Sequence, residues 1–369
     1  MSDFQRRMSA LHERMAVQGI GAALLTAPAA VYYFTGLWTD PMERFLGLWL
    51  AEGEEAVLFV PKLDAGKAES AASAGVRIWT VDDATPPQEA MRQACRFPSS
   101  GRIGVDKLAL NWHLAERIQE ICPETAFADI RPTTHMMMAS KSREEADLVR
   151  RAAQIADRAL EAALGAFRVG MRERELAEEI ARQIRAAGGE GLAFGPTVVS
   201  GVRTALPHAD TTEEPIREGG LLIVDMGVVC RHYLSDMTRT FLVGDGNGNG
   251  ERVRLYETVR VANERAVAAV RLGAPLSDID DAARQYIDAQ GYGEHFIHRV
   301  GHGLGLTIHE EPSIHHRNRD PVLAGMIFTV EPGIYVPGVG GVRIEDDVYV
   351  DENGTVDVLT AFSRELRRL

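Results

Sequence analysis

The sequence predicts an α/β (α+β) chain in two parts, a smaller domain over residues 1–135 and a larger one over 140–369 built from two similar halves. Three observations predict it. Short apolar runs alternate with helical periodicity through about the first 130 residues. A helix-start signal then opens a second series of helices and strands. Within that series one arrangement occurs twice, an apolar strand with an acid near its end, as GLLIVDMG and again as GMIFTVEPG.

The opening helix has Leu11 and Met15 on its apolar side and Ile20 at its exit. GAALLT, EAVLFV and RIGVD follow as buried strands. A break is expected at Arg131-Pro132-Thr133-Thr134, with a flexible methionine triplet at 136–138. Ser142 with Glu145 three residues on forms a capping box, and Leu148, Ala152, Ile155, Ala156 and Leu160 continue at helical spacing. A second helix carries Leu176, Ile180 and Ile184 and stops at Gly188-Gly189. After GLLIVDMG come a turn and the strand DMTRTFLV, and after GDGNGNG the plan repeats. One helix runs through Leu255, Val259, Ala262 and Ala266, another from Ser277 through Ile279, Ala283 and Ile287, then GMIFTVEPG and GVRIEDDVYV supply two strands. GDGNGNG itself fails as a calcium loop, because the twelfth position counted from Asp245 is Tyr256 rather than a bidentate acid. It reads as a turn. GHGLGL has a dinucleotide-like glycine rhythm without the preceding strand that such a loop needs.

Composition narrows the function classes. The 369 residues are 45% hydrophobic and 25% charged, as in ordinary globular proteins. A formal net charge of −13 disfavours a nucleic-acid surface. Cys95, Cys122 and Cys230 are scattered and odd in number, which argues against a disulfide framework or a thiolate zinc site. No signal-peptide pattern and no run of about 18 apolar residues is present, so a cytoplasmic location without membrane contact is expected.

The chemistry lies in the acids. Asp225 ends a strand whose residues Leu221 to Val224 are wholly apolar, a costly place for a carboxylate unless it meets a cation or donors. Asp236 begins the strand expected to pair with it. Glu331 ends FTVEP in the same way, and Glu345 follows Arg343 by two on GVRIEDD, so the two share a face. Four converging acids repel. A metal cluster resolves the repulsion, with His302, read in the Gly-rich turn GHG, as a nitrogen ligand. Each residue taken singly also fits a plainer part: the strand-end acids as caps or ion-pair partners, the histidine as a hydrogen-bonding loop residue.

SGVRTALPHAD, IVDMGVVCRHYLSDMTRTF, HRVGHGLGLTIHEEP, FTVEPGIY and GVRIEDDVYV resemble the pita-bread metallopeptidases, specifically the prolidase (Xaa-Pro dipeptidase) and aminopeptidase P branch. The resemblance covers roughly residues 140–365, and more weakly extends to VYYFTGL and EAVLFVP of the branch's creatinase/prolidase-type accessory domain. It implies a pita-bread fold with a pseudo-twofold repeat, two divalent metal ions per subunit and a homodimer. Asp225 would chelate one ion, Asp236 and Glu345 would bridge both, and His302 and Glu331 would complete the other shell. One imidazole among carboxylates suits Mn(II), with Co(II), Fe(II) or Zn(II) as other occupants.

The resemblance further implies hydrolysis of the bond between an N-terminal residue and proline by a hydroxide shared between ions about 3.5–4 Å apart. Glu331 would relay the proton and His309 would donate to the oxyanion. His208 and His298 would line the proline side, His208 also assisting catalysis. Tyr233 would contact substrate or simply pack, and Arg343 would orient Asp236 or Glu345 and contribute to catalysis, with substrate binding as the alternative. Two departures from the family pattern are Arg203, where relatives carry a small or amide residue, and the alanines of APAAVYYFTG. Other amide or amidine hydrolases and metal-dependent lyases on this fold are the alternative. Retention of all five ligands argues against a creatinase-type activity or a binding module, and the large N-terminal part argues against methionine aminopeptidase.

Overall fold

The computed structural model describes residues 2–72, 75–244 and 250–369. The chain separates into two compact units, Met1–Met138 and Ala139–Leu369.

The first unit holds helices α1 (Asp3–Val17), α2 (Pro28–Thr35), α3 (Ala65–Ala71), α4 (Pro87–Ala94), α5 (Trp112–Ile121) and α6 (Arg131–Ala139). Its strands are β1 (Ala22–Leu25), β2 (Gly47–Ala51), β3 (Ala56–Pro61), β4 (Val76–Val81), β5 (Gly101–Val105) and β6 (Thr125–Asp129). They form one mixed sheet in the order β4-β3-β2-β1-β5-β6. Strands β1, β2 and β3 are buried along their whole length, which is why they read as unbroken apolar runs rather than alternating ones. Leu11 and Met15 of α1 and Ile20 beyond it are buried as expected. The expected break at residues 131–134 does not occur. These residues open α6, where Pro132 sits in the first turn and costs no intrahelical bond, and Met137 and Met138 are buried rather than flexible.

The second unit begins with α7 (Arg143–Gly165) and α8 (Glu173–Ala186). The capping box forms: the Glu145 N–H donates to Ser142 Oγ at 3.3 Å and the Ser142 N–H to Glu145 Oε2 at 2.7 Å. Strands β7 (Gly191–Leu192), β8 (Thr197–Ser200), β9 (Leu221–Met226), β10 (Val228–Cys230), β11 (Tyr233–Leu234) and β12 (Met237–Leu242) follow. The core sheet of this half has the order β12-β9-β8, with Leu222, Val224, Phe241 and Val198 packed against Ala156, Leu160, Leu176 and Ile180 of the helices.

The other half repeats the plan. Helices α9 (Gly250–Ala269) and α10 (Ser277–Ala289) precede β13 (Gly301–Gly303), β14 (Glu310–Ile314), β15 (Ile327–Val330), β16 (Gly333–Val336), β17 (Gly340–Arg343), β18 (Asp346–Val350) and β19 (Val356–Val358). The sheet order is β14-β13-β15-β18-β19, with β16 and β17 forming a separate pair. Two expectations change here. GVRIEDDVYV is not one strand but β17 and β18, broken at Ile344-Glu345, and His302 lies in strand β13 rather than in a turn. Residues 245–249 of GDGNGNG, on which the calcium-loop question turned, lie outside the described residues. Among the described residues no helix is long and apolar enough to cross a membrane.

Candidate metal centre

Each of the five expected ligands stands at a strand or beside a strand end, where the backbone is held on both sides. Asp225, on β9, faces Thr238 of β12 and Thr197 of β8. Asp236 precedes β12 and donates its N–H to Asp347 Oδ2 at 3.0 Å. Between these two acids the chain makes a hairpin of β10 and β11 whose turn residues, Arg231 and His232, both have positive φ (47° and 72°). Glu331 follows β15, with its N–H on the Val300 carbonyl at 2.7 Å. Glu345 fills the gap between β17 and β18, where its N–H donates to the Thr238 carbonyl at 3.1 Å.

His302 is aimed by its strand. A Cβ at the neighbouring Gly301 would lie 1.9 Å from the Thr329 carbonyl oxygen, so β13 approaches its partner closely only because that side chain is absent. The pairing of β13 with β14 shifts register between His302 and Gly303, an irregularity of the kind that redirects a side chain. Nδ1 of His302 lies 3.1 Å from the Gly303 carbonyl oxygen, which can only accept. The proton therefore sits on Nδ1, and Nε2 presents a lone pair. Burial pushes the imidazole down to about 3, so it is neutral.

Nε2 of His302 is 3.3 Å from Glu331 Oε1 and 3.9 Å from Asp236 Oδ2. One ligand atom each from Asp236, His302 and Glu345 lies within 4.8 Å of the others, and all three residues are buried. Burial, with Glu345 and Asp225 adding repulsion, raises the Asp236 carboxyl well above its ordinary range. Burial followed by Glu331 and Asp225 does the same to Glu345. Glu331 is pushed up to about 7, chiefly by burial. Asp225 Oδ1 and Asp236 Oδ1 are buried without a hydrogen-bond donor. Carboxylates crowded in this way, with two oxygens unpaired and one imidazole lone pair among them, fit a hard divalent cation.

Arg343 corrects one expectation. Its guanidinium engages neither Asp236 nor Glu345 directly but donates to Asp225 Oδ2 at 2.6 Å, Thr238 Oγ1 at 3.1 Å and the Tyr335 hydroxyl at 3.0 Å. It reaches Glu345 through Thr238, whose hydroxyl donates to Glu345 Oε2 at 2.6 Å. Tyr335, unassigned from sequence although FTVEPGIY contains it, links Arg343 to His298. His298 Nδ1 donates to the Arg299 carbonyl at 2.7 Å, leaving Nε2 to accept from the Tyr335 hydroxyl at 3.1 Å. Burial holds His298 down at about 4.

His309 is exposed, its ring 4.4 Å from that of His302 and nearly perpendicular to it. Desolvation of the part of its ring that packs against the protein, then the charges of Arg299 and His208, lowers its pKa. His208 lies on the exposed turn after β8. Arg203 donates to Glu173 Oε2 at 2.7 Å and to the Asp210 carbonyl at 2.5 Å, tying down the segment that carries His208. Tyr233 is buried, and its hydroxyl donates to Glu145 at the start of α7, as the packing alternative for this residue expects.

The family model for metallopeptidase family M24 matches residues 147–352, and that for the creatinase/prolidase N-terminal domain matches residues 7–137. The chain belongs to metallopeptidase family M24. A Xaa-Pro dipeptidase from Pyrococcus furiosus is 35% identical to this M24 peptidase over 362 residues, 98% of this chain and 99% of that one. A solved prolidase from Thermococcus sibiricus superposes with a TM-score of 0.93 at 32% identity, covering 100% of both chains. A dipeptidase structure from Pyrococcus horikoshii gives 0.89 at 36% identity, over 98% of this chain and 100% of the other. The second unit is thus the pita-bread domain of an M24 metallopeptidase, preceded by its creatinase/prolidase-type domain.

Proposed function

We propose that this M24 peptidase hydrolyses the bond between an N-terminal residue and a following proline, with two divalent cations, Mn(II) foremost, held by Asp225, Asp236, His302, Glu331 and Glu345. The observation that carries this reading is the buried meeting of Asp236, His302 and Glu345, ligand atoms within 4.8 Å of one another, with Glu331 3.3 Å from the same imidazole. A bound pair of such ions supplies Lewis-acid polarisation of the scissile carbonyl and a water acidic enough to lose a proton near neutral pH.

The chain's own groups do the rest. The Glu331 carboxylate takes the proton of the attacking water and returns it to the departing proline nitrogen. His309 donates to the oxygen that becomes negative as the carbonyl turns tetrahedral. His298, held neutral and fixed by Tyr335, and His208 bound the proline side. Arg343 holds Asp225 and, through Thr238, Glu345, which fixes two ligands with one side chain. A free amine of the substrate lies against the acid-rich face, which makes an N-terminal residue a requirement.

Dipeptides are the substrate class favoured, since the full-length relatives described above are named dipeptidase or prolidase. The test compares Xaa-Pro, Xaa-Ala and Xaa-Pro-Yaa peptides with Mn(II)-loaded protein. The expected result is hydrolysis of Xaa-Pro above both others, abolished by chelation and restored by Mn(II). Equal rates on Xaa-Ala and Xaa-Pro would remove the proline assignment. Preference for the tripeptide would make the activity an aminopeptidase.

A further inference from the structure

We propose that Lys141 and Glu310 form a buried ion pair that sets the position of His309, making both of them positioning residues for the reaction. This rests on the reading of His309 as the donor to the oxyanion. Lys141 stands immediately before the Ser142 cap of α7, and Glu310 immediately follows His309.

The two charges meet at 2.7 Å, Nζ to Oε2, with each side chain 2% exposed. Glu310 uses its other oxygen on the backbone: Oε1 accepts the N–H of Leu306 at 2.7 Å and of Thr307 at 3.0 Å. One carboxylate therefore closes the turn that leads to His309. Thr307 Oγ1 completes it by donating to the His309 carbonyl at 3.1 Å. The turn is tied at its start as well, because the Leu234 N–H donates to the Gly305 carbonyl at 2.8 Å. Lys141 is itself held, its N–H on the Gly325 carbonyl at 2.9 Å.

Packing leaves the pair little freedom. A Cβ at Gly305 would sit 2.6 Å from Lys141 Cε and 2.9 Å from Glu310 Oε2, so the ion pair is seated against bare backbone. A buried ion pair seldom repays its desolvation better than an apolar pair of similar volume would. What an apolar pair cannot do is accept two backbone N–H groups, and those bonds determine where the turn places His309. Without the Lys141 ammonium, Oε2 of Glu310 becomes an uncompensated buried charge that its two N–H donors on Oε1 do not offset. The carboxylate then leaves the turn, and the imidazole is no longer held 4.4 Å from His302. A misplacement of about 1 Å in a reacting array costs up to about 10²-fold in rate.

The test uses the full chain loaded with Mn(II) and a Xaa-Pro dipeptide, in four forms: wild type, K141M, H309A and the double variant, each checked for folding by circular dichroism. H309A is expected to lower kcat by about 10²–10³-fold. K141M is expected to lower kcat roughly 10- to 100-fold with little change in KM. The double variant is expected to be no slower than H309A alone, because Lys141 acts through that ring. Should K141M fail to fold, E310Q takes its place in the same cycle. Wild-type kcat in K141M or its replacement, with H309A impaired, overturns the positioning role alone. So does a double variant whose loss is the product of the two single losses. Wild-type kcat in H309A overturns the reading of His309 and this proposal with it.

Discussion

Exchange of Asp236 for asparagine is expected to lower kcat/KM on a Xaa-Pro dipeptide by more than about 10³-fold, about 4 kcal/mol of lost transition-state stabilisation, while raising the Tm of the metal-free protein. The two effects have one cause. Asp236 is buried with Glu345, Asp225, Asp347 and Glu331 all acting on its charge, and its Oδ1 has no donor. In the absence of a cation that arrangement costs stability through desolvation and repulsion. An amide of the same shape cannot ionise, so it avoids both the buried charge and the cost of keeping it protonated, and it adds an N–H for a neighbouring carboxylate. Each kcal/mol relieved is worth about 2–4 °C in a domain of this size. With metal present the same exchange would remove one of the carboxylates that would hold it. Activity and metal-free stability should therefore move in opposite directions, measured by steady-state kinetics and by thermal melts in chelator. A fall in both would mean that Asp236 is an ordinary structural acid.

The pH dependence of stability is expected to run opposite to that of most acid-sensitive proteins, and to reverse when metal is added. Glu331 is raised from its ordinary 4.5 to about 7, first by burial, and Asp236 and Glu345 are raised in the same direction. Between about pH 4.5 and 7 the folded metal-free chain keeps protons that the unfolded chain has released. These carboxyls therefore lower stability as pH rises, opposed below about pH 6.5 by His298 and His302, whose lowered pKa values leave only the unfolded chain protonated there. Glu331 alone accounts for roughly 3 kcal/mol at about 1.4 kcal/mol per pH unit. Cation binding requires the deprotonated carboxylates and so strengthens as pH rises. Melts from about pH 6.5 to pH 8, above the range where the histidines oppose the effect, should show Tm declining in chelator and climbing with Mn(II). A Tm that rises with pH in chelator would contradict the crowding of acids on which the site depends.

How much of this was readable from sequence differs by residue. The acids among the expected ligands stood out because a carboxylate beside an apolar strand is costly and needs an explanation; Asp236, His302 and Glu345 meet within 4.8 Å, with Glu331 3.3 Å from His302. The α7 cap was equally clear, since Ser142 and Glu145 carry a local signal that needs no tertiary contact. What stayed hidden is what depends on partners distant in sequence. Arg343 stands 118 positions along the chain from its ion-pair partner Asp225, and its choice over Asp236 or Glu345 is set by how β9 and β17 meet. Tyr335 gave no signal beyond lying in a matched segment, because an aromatic in a buried strand reads as core. The β10–β11 hairpin lacked the Asn-Gly or Asp-Gly signature of its turn class and uses Arg231-His232 instead. Pro132 was taken for a breaker although the first turn of a helix tolerates it.

The decisive count is of manganese bound per chain, followed alongside the Xaa-Pro rate as a chelated sample is reloaded. Two ions per chain at full activity, with D236N binding fewer and remaining inactive, is the result expected of a site built from Asp225, Asp236, His302, Glu331 and Glu345. Full hydrolysis by protein stripped of metal, or undiminished manganese binding by D236N, would contradict it.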